Sequence, residues 1–125
     1  MDLQDSSERK IYMQSEKLKD IVVNAMDDMK ANDINVLDVR ERTSVTEYMV
    51  VASGTSNRHV KSIADNVIEE VKNNGIRPLG IEGGAGSDWV LVDLGGIVVH
   101  VMMPAAREFY DLERFWTDGP EVVAE

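Results

Sequence analysis

A chain of 125 residues with 23 acidic and 13 basic side chains carries a formal net charge of −10, and it contains no cysteine. That length holds one domain around one core, and the missing thiol excludes disulfides, thiolate nucleophiles and cysteine-built zinc sites. The negative field opposes nucleic-acid binding, whose affinity comes largely from cations displacing counterions, and it favours encounter with a basic protein surface.

Met1 to Glu8 are polar and acidic, without the apolar or basic amphipathic character of a targeting segment. No apolar stretch approaches the roughly 20 residues of a membrane span. A cytoplasmic location with no membrane contact is therefore expected. Residues 1–14 read as a polar N-terminal tail and 117–125 as an acidic C-terminal tail, leaving 15–116 as a single domain.

From Ser15, a plausible N-cap, Leu18, Ile21, Val22, Ala25, Met26 and Met29 recur at helical spacing, with Asn32 or Asp33 as the stop. Asn35 to Val39 reads as a short strand, and Tyr48 to Ser53 as a buried one because it is almost continuously apolar. Gly54-Thr55-Ser56-Asn57 ends that strand and caps a second helix, in which Val60, Ile63, Ala64, Val67, Ile68 and Val71 repeat the first helix's stripe. Gly75 suits the left-handed position after it.

Pro78 to Glu82 is a third strand, followed by a glycine-rich loop over 83–86. Trp89 to Leu94 and Ile97 to Met103 are strands joined across Gly95-Gly96 as a hairpin. Pro104 opens a last helix to about Trp116. The order α-β-β-α-β-β-β-α predicts an α/β fold, a mixed five-stranded sheet flanked by helices, with a parallel crossover between the strands at 48–53 and 78–82.

Catalytic chemistry finds little support. The Gly54-Thr55-Ser56 turn at a helix N-terminus could hold a phosphate, as the turn of nucleotidyltransferases does. Those enzymes also need carboxylates two residues apart on a strand to hold metal. Asp38 has Val36 and Arg40 at that spacing, and Asp93 has Leu91 and Gly95. His59 and His100 are too few and wrongly spaced for a metal site. A Ser56-His59-Asp65 triad fails because one helix cannot bring the three together.

The segment Asp88 to Leu94 is more informative. Alternation puts Trp89, Leu91 and Asp93 on one face and Val90, Val92 and Leu94 on the other. If the valine face is core, Trp89 and Leu91 project outward as an interface anchor, or Trp89 packs under the last helix against Phe109 or Phe115.

The chain resembles the ribosomal silencing factor, or Iojap-like, family. The resemblance runs through Leu37-Asp38-Val39, Gly54 to Val60, Ile63-Ala64-Asp65, Pro78 to Gly83, Ser87 to Gly95, Val98 to Val101 and Arg107 to Trp116. It implies a nucleotidyltransferase-like core without the catalytic carboxylates, no cofactor, no metal and no enzyme activity. It implies a translational repressor that binds the large ribosomal subunit through a basic ribosomal protein, the fourteenth of that subunit, with little nucleic-acid contact. Docked there, it would block subunit joining when nutrients are scarce, and free protein would be a homodimer. The partner-binding residues implied are Glu82, Asp88, Trp89, Leu91, Asp93, His100, Arg107 and Tyr110. The alternatives are a nucleotide-binding enzyme using the Gly54-Thr55-Ser56 turn and a dimeric scaffold.

Overall fold

The computed structural model describes residues 3–117 and opens on a long helix, α1 (Leu3–Asp28). The helix thus starts well upstream of Ser15, where the apolar spacing suggests its beginning. Leu3 to Gln14 contain no glycine or proline and several good helix formers, so nothing there stops the helix from running upstream. Ser15 is consequently no cap. It lies within the helix, buried, and its hydroxyl donates to a carboxylate oxygen of Glu47.

The remaining elements are β1 (Asn32–Asp38), β2 (Tyr48–Ser53), α2 (Asn57–Asn73), β3 (Gly80–Glu82), β4 (Trp89–Asp93), β5 (Ile97–Met102), α3 (Pro104–Tyr110) and α4 (Leu112–Thr117). β1 begins at Asn32, earlier than expected, with Asp33 at φ 51 in an irregular stretch of the pairing. The helix expected from Pro104 to Trp116 is broken in two. Asp111 adopts φ 50, ψ 50, a left-handed conformation that its short polar side chain tolerates, and its N–H closes α3 on the Arg107 carbonyl. The expected acidic tail lies outside the described residues beyond Thr117.

The five strands form one mixed sheet in the order β1-β2-β5-β4-β3. Only β2 and β5 pair in parallel; the other three pairings are antiparallel. It follows that β2 and β3 run in the same direction, as the crossover predicts, but β5 and β4 lie between them. Among the described residues no helix is long and apolar enough to cross a membrane.

Two cores result. Leu18, Val22, Ala25 and Met26 of α1 and the buried stripe of α2 close over Val50, Val90, Val92, Ile97, Val99 and Val101. On the opposite face Val39, Met49, Val51 and Met102 are covered by Ala106, Leu112 and Trp116 from α3 and α4. β2 is therefore buried on both sides, which explains its unbroken apolar run.

α2 begins as its sequence predicts: the Ser56 side chain accepts the His59 N–H at 3.0 Å. Ser56→Ala should lower stability by about 1 kcal/mol, measured as a lower urea midpoint at unchanged slope. Beyond Asn74, Gly75 takes φ 82.

Candidate partner-binding site

β4 presents its residues as the alternation predicts. Val90, Val92 and Leu94 are buried under α1 and α2, whereas Trp89, Leu91 and Asp93 lie half-buried on the opposite face. There α3 and α4 cover only part of the sheet. Glu82 stands directly across from Leu91 on β3, and together with Gly83, Trp89 and Leu91 it lines a surface depression of about 290 Å³. The floor is apolar and the rim carries a carboxylate.

Trp89 is held from two sides. Its indole Nε1–H donates to His100 Nδ1 at 3.0 Å, and its ring lies 4.7 Å from that of Tyr110. Tyr110 therefore takes the place expected of Phe109 or Phe115. Phe109 is instead 80% exposed, edge-on to Tyr110, and Phe115 is turned to solvent as well. The break at Asp111 takes Phe115 off the line of α3, while Phe109 and Tyr110 are consecutive on α3 and so point about 100° apart, leaving only one of them toward Trp89.

The backbone of the preceding loop is equally constrained. Gly83 has φ 91, and a Cβ there would stand 2.5 Å from the Trp89 carbonyl oxygen. Gly83→Ala should therefore cost about 1–2 kcal/mol from backbone conformation alone. The added clash pushes Trp89, so the tryptophan emission should shift as well as the melting temperature.

The implied partner-binding residues do not form one set. Glu82, Trp89 and Leu91 converge at one end of β4 with Tyr110 against the indole, while the Asp88 carboxylate is turned to α2, accepting from Asn57 at 2.7 Å. Asp93 shares the face but lies four residues along the strand, roughly 13 Å from Trp89. Its carboxylate accepts the Gly95 N–H at 2.9 Å and shapes the hairpin turn.

Two of the implied residues are turned inward. His100 is 4% exposed; Nδ1 is engaged by Trp89, and Nε2 finds no hydrogen-bond partner among the described residues. Burial lowers its pKa to about 4, so the ring is neutral at ordinary pH. Since an indole N–H only donates, Nδ1 is the acceptor and the proton sits on Nε2. Arg107 also turns inward, donating to Ser53 Oγ and, through two nitrogens, to Glu113. Glu113 further accepts from Asn35, and these bonds, the Arg107 ones foremost, hold its carboxyl below the usual range. The cluster pins α3 and α4 to β1 and β2.

Sequence reasoning placed Phe109 against Trp89 and missed the constraint on Gly83. The usable signal for Gly83 was a glycine directly after the strand that pairs with β4.

The Gly54-Thr55-Ser56 turn is already engaged. The Thr55 N–H donates to His59 Nδ1 at 2.9 Å, leaving Nε2 to donate to the Met29 carbonyl at 2.8 Å. With the Ser56 hydroxyl also committed, the turn joins the end of α1 to the start of α2. Among the described residues no three histidine, aspartate or glutamate side chains gather into a group that could hold a metal ion.

Comparison with known proteins decides the lineage. The family model described as ribosomal silencing factor during starvation matches residues 12–125. The chain belongs to the ribosomal silencing factor family. It is 42% identical over 104 residues to ribosomal silencing factor RsfS of Chromobacterium violaceum, covering 83% of this chain and 85% of that protein. The mouse protein named mitochondrial assembly of ribosomal large subunit protein 1 is 37% identical over 101 residues, 78% of this chain and 44% of its own length. The crystal structure of a C. violaceum protein, 42% identical, superposes with a TM-score of 0.79 over 81% of this chain and 84% of that one. A Bacillus halodurans crystal structure, 33% identical, gives 0.74 over 81% and 94%. The mixed sheet and its flanking helices are thus those of solved structures of silencing-factor relatives.

Proposed function

We propose that this protein represses translation by docking on the large ribosomal subunit, through the subunit's fourteenth ribosomal protein, and excluding the small subunit. The observation that carries this reading is the partly uncovered end of β4. Half-buried Trp89 and Leu91 lie beside exposed Tyr110 and Phe109, with Glu82 at the edge and Asp88, hydrogen-bonded to Asn57, just before the strand. Aromatic anchors in a partly desolvated depression are the residues that dominate protein interfaces. The carboxylates suit lysine and arginine on a basic ribosomal protein, and the net charge of −10 steers the chain toward such a surface and away from bare RNA.

An interface of roughly 800 Å² per partner is sufficient to occlude a competing subunit. No bond is made or broken in this scheme, and the protein acts in the cytoplasm as a binding module and not as an enzyme. The starvation in the family's description supports deployment under nutrient limitation, and the mouse relative's name supports the large subunit as the partner.

The test is sedimentation of the purified protein with isolated large subunits and with assembled ribosomes. Recovery with large subunits alone is expected, together with inhibited joining when small subunits are added. Equal recovery in both fractions would overturn the reading. In the absence of ribosomes we assign the chain a homodimer, and sizing it alone and with the basic partner measures whether the pair separates on binding.

A further inference from the structure

We infer that His100 is a positioning residue: it contacts no partner, and instead fixes the indole of Trp89 in the orientation that the large subunit meets. This rests on the large-subunit reading above.

The position is one where strand packing calls for an apolar side chain. On the same face His100 stands across from Val51 on β2 and Leu91 on β5's other neighbour, β4, with Met102 two residues on. A histidine there carries a cost that a leucine or valine would avoid, because its Nε2–H is buried without an acceptor among the described residues. What the ring provides in return is a single directed bond, Nδ1 accepting the indole N–H at 3.0 Å.

The indole needs such a hold. Trp89 is the first residue of β4, next to the 83–86 loop, and only half-buried. Tyr110 contacts the ring from α3, but at 53% exposure it can itself move. His100 lies on the central strands and has no such freedom. The bond between them converts a side chain at the sheet's margin into one fixed before the partner arrives. Fixing a large side chain in advance removes the ordering cost that binding would otherwise carry. Where a sequence breaks a packing rule without gain in stability, function is the usual reason.

The experiment compares His100→Leu, which removes the acceptor and the orphaned donor together, with His100→Asn, whose amide oxygen falls near the Nδ1 position. In a ¹H–¹⁵N spectrum of the full chain, the Trp89 indole N–H signal is identified by its loss in Trp89→Phe. His100→Leu should shift that signal upfield and speed its exchange, leave the melting temperature equal or higher, and weaken large-subunit binding roughly three- to tenfold. His100→Asn should restore both signal and affinity. In a Trp89→Phe background His100→Leu should have no further effect on binding.

Unchanged affinity in a folded His100→Leu protein would overturn the proposal, as would an equal loss in the Trp89→Phe background. Wild-type protein that does not sediment with large subunits overturns the functional reading and with it the binding half of this one. The indole signal then decides alone whether His100 holds Trp89.

Discussion

Trp89→Ala is expected to weaken binding to isolated large subunits at least about 30-fold, equivalent to about 2 kcal/mol. The ring forms one wall of the depression it shares with Leu91 and Glu82, and it supports Tyr110 at 4.7 Å. Truncation removes the wall and frees the tyrosine. It also removes packing against the core around Met102, costing about 1–3 kcal/mol of stability for a half-buried ring. Domains of this kind hold about 5–15 kcal/mol in reserve, so the variant remains folded and the two losses can be measured separately. Circular dichroism at the assay temperature reports folding; titration against labelled large subunits reports affinity. Val45→Ala, at a side chain 84% exposed in the loop between β1 and β2, serves as the control and should change neither. Full affinity in a folded Trp89→Ala protein would place Trp89 in the core only.

The second large effect is on stability against pH. His100 has a folded pKa of about 4, set by burial, against an ordinary value of 6.5. Below 6.5 the unfolded chain takes up a proton that the folded chain refuses, so stability falls as pH falls and levels off near pH 4. Between pH 6.5 and 4.5 the loss should be about 2–3 kcal/mol. Glu113 and Asp38, whose pKa values are lowered by Arg107 and Arg40 respectively, add their own losses below that window. Urea unfolding of wild type and His100→Leu at half-unit steps isolates the histidine. The two stability curves should diverge as pH drops, wild type falling further than His100→Leu, and parallel curves would show that His100 does not resist protonation.

How far the sequence carried varies with the range of the forces involved. α2 was legible closely, since the 54–57 turn, the apolar stripe and Gly75 all act within a turn or two of themselves. β2 was legible because burial on two faces leaves a direct trace in the pattern of apolar residues, whereas the alternation in β4 separated its two faces without deciding which is buried. The start of α1 was lost because a polar helix and a polar tail share a composition. The sheet order, the split at Asp111 and the inward turn of Arg107 depend on segments far apart in sequence. Arg107, for instance, answers to Ser53, and through Glu113 to Asn35. The Trp89–His100 bond spans 11 residues and requires both the hairpin and its register. No local pattern announces it.

The parallel pairing of β2 with β5 has a consequence for synthesis. Tyr48 aligns with Ile97 and Ser53 with Met102, so the middle of the sheet joins an early segment to one close to the end of the described chain. Contacts between such distant segments form late, after the intervening chain has been closed into a loop. The face bearing Trp89 needs β5 beneath it and α3 beside it, and neither exists until residues 97–110 have been made. A copy whose synthesis has not passed α3 therefore lacks the surface with which a finished copy would silence a ribosome.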